Sequence, residues 1–258
     1  MNNMNPTPPS IPPRIPAAVP TTPGFQPLGE NPEERQAIPN FVAAVETILR
    51  QPRRVLYQLR QPTSGRLILG MLFVTIVCSF LYGMVVGTFS MGVQLWAAPV
   101  KVTLGLLFSA LICMPSLYIF ACLSGSEARL AEMCGLVAGL LMLMTILLIG
   151  FAPVAWLFSQ STDSVAWMGA LHLVFWLIST LFGLRFLETG FSHSEARSAA
   201  GLNTWMVIFM LVVVQMTTAL RPIVGKADTF LPQEKKFFLT HWGDSLKSSA
   251  QGQPRPSQ

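Results

Sequence analysis

Read as apolar and polar positions, the chain has a long middle in which charge nearly vanishes, set between two polar ends. Five apolar runs fill that middle: 67 to about 91, 97–123, 130 to about 158, 165–187 and 204–220. The second, AAPVKVTLGLLFSALICMPSLYIFACL, carries one charge, Lys101. About twenty apolar residues suffice for a helix to cross a hydrocarbon core. Each run is therefore predicted to span a membrane, and the connectors are short enough to make neighbouring helices antiparallel. The expected fold is an all-α membrane protein, a five-transmembrane-helix bundle over 67–220 behind a disordered proline-rich tail.

The flanks have their own patterns. Residues 1–36 open with PTPPSIPPRIPAAVPTTPGFQP, in which neither helix nor sheet can propagate. Its PxxP spacings suit proline-recognising grooves, although tails of this composition need no partner to persist. From Asn40, a helix cap, Phe41, Val45, Ile48 and Leu49 recur at helical spacing up to Pro52. The linker RRVLYQLRQPTSGR then alternates arginine with apolar residues. It can lie in the headgroup layer with its arginines toward lipid phosphates, or serve only as the positive flank that orients the first span. Residues 37–66 are thus an amphipathic juxtamembrane helix and basic linker. Residues 221–258 form an interfacial segment and disordered tail, where FLPQEKKFFLTHW mixes aromatic and basic side chains.

Composition agrees with a lipid solvent, being 52% hydrophobic and 11% charged, whereas soluble domains carry about 25% charged residues. The net charge of +5 comes from flanks and loops and reads as topology information, with no nucleic-acid footprint. Arg50, Arg53, Arg54, Arg60 and Arg66 crowd the entry to the first span and place the N-terminus in the cytoplasm. Five spans then put the C-terminal tail outside, although Arg221, Lys226, Lys235 and Lys236 would also favour the inside. The start, MNNMNPTPPS, resembles neither a signal peptide nor a myristoylation site. The expected location is a bacterial inner membrane, multi-pass.

Helices in lipid associate through small residues and dispersion contact. At four-residue spacing, Ser79, Gly83 and Gly87 form one stripe, Gly105, Ser109 and Cys113 a second, and Ala131, Gly135 and Gly139 a third. The Gly83–Gly87 pair can mediate a homo-oligomer, but packing inside the bundle has first claim on such faces. Pro115 and Pro153 each remove a helix hydrogen bond.

Ionisable groups at membrane depth are functional candidates, because their desolvation is expensive. Lys101, near its helix start, is expected to snorkel outward, and Arg185 and Glu188 have the spacing of a helical ion pair. His172 reads as a hydrogen-bonded structural histidine, Gln215 as glue between helices, and Arg221 as an exit flank. There is no zinc or nucleophile-elbow motif, phosphate loop or paired carboxylate at depth, so no catalytic, cofactor-binding or metal residue is assigned. Ser192, His193, Ser194 and Glu195 share one loop, where adjacent residues rarely reach triad geometry. The four cysteines lack CxxC spacing and read as packing residues.

The aromatic-started helix up to Pro52, the basic approach to the first span, Lys101, Pro115 and Gly125, and five tightly connected spans resemble the Yip family, in its broad bacterial branch. The resemblance covers residues 40–220 and implies a scaffold or membrane-organising role; eukaryotic members bind small GTPases. The proline-rich head and long tail depart from that pattern. Two functions follow as expectations. One is a non-enzymatic membrane scaffold, embedded in the lipid bilayer, that recruits protein partners through its tails. The other is a small transporter or channel subunit using His172, Gln215, Arg185 and Glu188.

Overall fold

The computed structural model describes residues 27–89, 92, 94–126, 129–162, 165–192 and 200–219. The proline-rich stretch before Pro27, His193, Ser194 and Glu195, Arg221 and the C-terminal segment, for which the sequence raises expectations, lie outside the described residues.

The described chain is helical throughout: α1 (Phe41–Arg50), α2 (Pro52–Leu59), α3 (Gly65–Thr88), α4 (Gln94–Leu123), α5 (Leu130–Ser161), α6 (Val165–Ser192) and α7 (Ala200–Ala219), preceded by a 3-10 turn at Pro32–Arg35. Asn40 caps α1, its Oδ1 accepting from the Ala43 N–H at 2.8 Å. Pro52 ends α1 and starts α2, since proline restricts the residue before it and needs no amide partner at a helix start. Gly125, at φ 75°, terminates α4 in the left-handed region. Pro115 and Pro153 both lie inside continuous helices.

Four of these helices are long and apolar enough to cross a membrane: Gly65–Thr88, Leu95–Leu123, Leu130–Ser161 and Trp167–Ser192. The fifth expected span falls on α7, whose described apolar stretch, Gly201–Met216, is shorter.

Across the bundle the helices lie in the order α6, α5, α3, α4, α7. Two-thirds of the apolar stretch of α5 is buried (67%), against 33–39% in the other three long helices, which makes α5 the central one. Leu136, Leu140, Leu141, Met142 and Met144 are all buried along it. α1 packs on α3 and α5, and α2 on α5 and α3, so both cover one end of the bundle. At the opposite, far end Trp96, Trp156 and Trp167 are exposed.

This capping corrects two expectations. The basic linker does not turn its arginines only to lipid. Arg53 Nε donates to Glu34 Oε1 at 2.7 Å, Arg54 to the carbonyls of Gln36 and Ala37 at 3.0 Å each, and Arg60 Nε to Glu132 Oε1 at 3.1 Å. Its apolar residues Val55, Leu56 and Leu59 are buried against protein. Residues 27–36, expected to belong to the disordered tail, are strapped across α2. Glu34 is buried and also accepts from the Gly29 N–H, while Arg53 Nη2 reaches the Pro27 carbonyl at 3.1 Å.

Candidate functional site

The small-residue stripes serve the interior of this chain. Ser79 Oγ donates to Thr103 Oγ1 at 3.1 Å, and Gly83 lies against the backbone of Ala98 and Pro99, so these two residues join α3 to α4. Gly87 is buried in the next turn of α3. Gly105 and Ser109 are buried on α4, with Ser109 Oγ donating to the Gly105 carbonyl at 2.7 Å. Gly135 receives Leu59 of α2, and Gly139 receives the Phe186 ring of α6. Ala131 is exposed and takes no part in that stripe. Gly183, against Leu140, and Gly190, against Leu136 and Leu56, complete the α5–α6 seam. Neither glycine stands out in the sequence, although the two are seven residues apart, two helical turns on one face.

The polar residues divide by depth. Lys101 does not snorkel: it is 1% exposed. α4 begins at Gln94, before the predicted start at Ala97, so Lys101 stands two turns inside the helix. It shares the buried side of α4 with Ala98, Gly105 and Ser109. Arg185 and Glu188 are both exposed on α6 and form no ion pair with each other. Arginine preceding glutamate is the weaker order for a helical pair, and both lie in the last two turns, where long side chains can reach the interface.

His172 has the most defined partner. Its Nδ1 lies 2.7 Å from the Tyr82 hydroxyl, and the rings meet edge to face at 5.6 Å between centroids. Tyr82 sits one residue before Gly83, so the register that brings Gly83 against α4 also fixes where Tyr82 stands toward α6. His172 Nε2 is buried without a hydrogen-bond partner among the described residues, as are Ser179 Oγ and Gln215 Oε1. With Tyr82 donating to Nδ1, the neutral imidazole carries its proton on Nε2. Tyr82 was not singled out in the sequence, where a tyrosine in an apolar run looks like any other core aromatic.

A second interhelical bond joins α7 to α4. Trp205 is fully buried, stacks on Phe209 at 5.2 Å and donates its indole N–H to the Cys113 carbonyl at 2.8 Å. That carbonyl also accepts from Ser116 Oγ at 2.8 Å, close to Pro115. All four cysteines are free thiols. Among the described residues no group of three or more histidine, cysteine or acidic side chains is placed to hold a metal ion.

At the capped end the chemistry is electrostatic. Burial alone would raise the Glu34 pKa, but Arg53, the Gly29 amide and Asn31 together hold the carboxyl below its ordinary value. Arg35 Nε closes the strap on itself, donating to the Gly29 carbonyl at 2.7 Å, whereas Arg54 Nε and Gln58 Nε2 of α2 donate to the Gln36 carbonyl at 3.0 and 3.2 Å, so α2 holds the strap largely by its backbone. Compared with known proteins, the chain matches no family model, no curated protein and no solved structure.

Proposed function

We propose that this chain is a five-span integral membrane protein acting as a non-enzymatic scaffold, with a cytoplasmic N-terminus and tails that recruit protein partners. The observation that carries the topology in this reading is the contrast between the two ends of the bundle, and the scaffold role rests on the Yip resemblance. The capped end gathers Arg50, Arg53, Arg54, Arg60, Arg66 and Arg129, whereas the far end carries the exposed rings of Trp96, Trp156 and Trp167. Basic residues resist translocation, and indole rings favour the membrane–water interface. The capped end is accordingly cytoplasmic. Pro27 is held there by Arg53, so the proline-rich tail is attached to a fixed point on that face.

α7 supplies the fifth crossing in this reading. Its 20 residues rise about 30 Å, the thickness of a hydrocarbon core. It runs antiparallel to α4, with Gly201 beside Ser124 and Trp205 bonded to Cys113, and in this reading the chain that follows emerges on the other side. The bacterial inner membrane rests on the Yip resemblance.

Cysteine accessibility at Ser10, Ser126, Ser161, Ser192 and Ser245 tests the topology. The expected result is labelling of Ser10, Ser126 and Ser192 variants from the cytoplasm and of the other two from outside. Labelling of Ser10 and Ser245 variants from the same side overturns five spans. Partner capture lost on deleting 1–30 or 229–242 supports the scaffold.

A transporter or channel subunit is the second reading. It is favoured by buried Lys101 together with the unmatched His172 Nε2 and Gln215 Oε1. Solute flux in proteoliposomes that Gln215→Leu abolishes would replace the scaffold with it.

A further inference from the structure

The first helix has three distinct sides. Taking 100° per residue, Thr47, Ala44 and Ile48 form one sector and are buried against the bundle. Glu46 and Arg50 form another, exposed and paired at 3.6 Å. Between them Phe41, Val45, Leu49 and Val42 complete an apolar arc that has no protein cover over much of its area: Phe41 is 52%, Val42 62% and Leu49 49% exposed. A helix at the rim of a water-soluble fold would carry polar residues there.

That arc does not stop at the edge of α1. The Phe41 ring meets the Phe73 ring of α3 edge on, 5.9 Å between centroids. Phe73 belongs to an exposed strip of α3 that also contains Leu69, Ile76 and Val77, spaced along one helix face. The outward side of α1 and the outer side of a long apolar helix are therefore one continuous surface, with the Glu46–Arg50 edge of α1 lying beside it.

We propose that α1 lies within the leaflet at the capped end of the bundle, with Phe41, Val42 and Leu49 against phospholipid acyl chains and Glu46 and Arg50 at the headgroup level. The occupant is lipid because the arc continues the face of α3 that the membrane reading gives to lipid; the inference rests on that reading. α1 is then a lipid-facing anchor fixed to α3 and α5, and it sets the depth at which the strap and α2 sit.

A photoreactive diazirine side chain, placed singly at Val42, Leu49, Glu46 or Leu111 of the full chain in phosphatidylethanolamine–phosphatidylglycerol vesicles, tests this. Leu111 is 66% exposed in the middle of α4 and reports on the membrane reading itself. The expected result after irradiation is phospholipid adducts at Val42, Leu49 and Leu111, severalfold above those at Glu46. Lipid adducts at Leu111 with only water adducts at Val42 and Leu49 overturn the proposal and leave the membrane reading intact. Cross-links from Val42 to a second copy overturn it by covering the arc with protein. An absence of lipid adducts at Leu111 overturns the membrane reading and the proposal together.

Discussion

The Tyr82 hydroxyl of α3 and Nδ1 of His172 on α6 lie 2.7 Å apart, joining two helices that flank the central α5. Because the imidazole is partly buried and its other nitrogen has no partner among the described residues, this bond is the histidine's main polar anchor. Tyr82→Phe removes the hydroxyl and leaves both ring nitrogens unmatched, with an expected cost of about 1–3 kcal/mol. Replacing both partners, as Tyr82→Phe with His172→Phe, should cost less than the two single changes summed. A double-mutant cycle on thermal or denaturant unfolding in detergent is expected to give a coupling of about 0.6–2 kcal/mol. A coupling of zero would mean that the two side chains are independent.

The glycines allow a second, graded prediction. A β-carbon on Gly83 would overlap the Pro99 backbone, which cannot swing away, whereas one on Gly139 would meet only the edge of the Phe186 ring. Gly83→Ala is therefore expected to destabilise by about 2–3 kcal/mol and Gly139→Ala by about 1 kcal/mol. Nothing stands within 4 Å at Gly70 or Gly150. Alanine at either should be neutral or stabilising by up to about 1 kcal/mol, since glycine weakens a helix interior. Equal effects at all four positions in a melting series would refute the assigned crossing points.

The long apolar runs were legible because span length depends only on local composition. α3, α4 and α5 begin or end within a few residues of the runs that predicted them. Which face of each run turns inward was less legible. A helix apolar all round has no amphipathic direction, so Lys101 looked free to reach out when it is in fact turned in. The cap was hidden for a different reason: Glu34 and Arg53 are 19 residues apart, and Arg60 meets Glu132 across 72. No periodicity within a short window carries such pairings. Trp96, Trp156 and Trp167 stood in plain view near the run ends, and their gathering at one end becomes visible only once the antiparallel order is fixed.

Docking of α2 onto α5 makes Leu59 a sharp test of the capped end. Leu59 is 2% exposed and its branched end fills the space that Gly135 leaves open. Leu59→Ala should therefore cost about 2–5 kcal/mol, as for other buried leucines. Were α2 lying free on the headgroups, the same change would leave bundle stability nearly unchanged. Arg60→Ala, which removes a partly exposed ion pair with Glu132, should cost only about 0.2–1 kcal/mol in the same assay.

The strap should respond to acid through Glu34. Its folded-state pKa lies below the ordinary value of 4.5, so the ionised carboxylate favours the docked strap. That contribution is complete above the unfolded-state pKa and is lost as pH falls through the depressed folded-state value. Cleavage by an acid protease within residues 27–38, followed in vesicles from about pH 5 to about pH 3, measures it. Comparing wild type with Glu34→Gln at each pH cancels the pH dependence of the protease itself. The wild-type strap should be cut more slowly than the variant at the upper end of the range, and the two rates should converge at the lower end. A constant ratio throughout would show that Glu34 holds the strap by shape alone. Arg53→Gln should shift the convergence toward higher pH, because it removes the cation that lowers the Glu34 pKa while leaving the Gly29 amide in place.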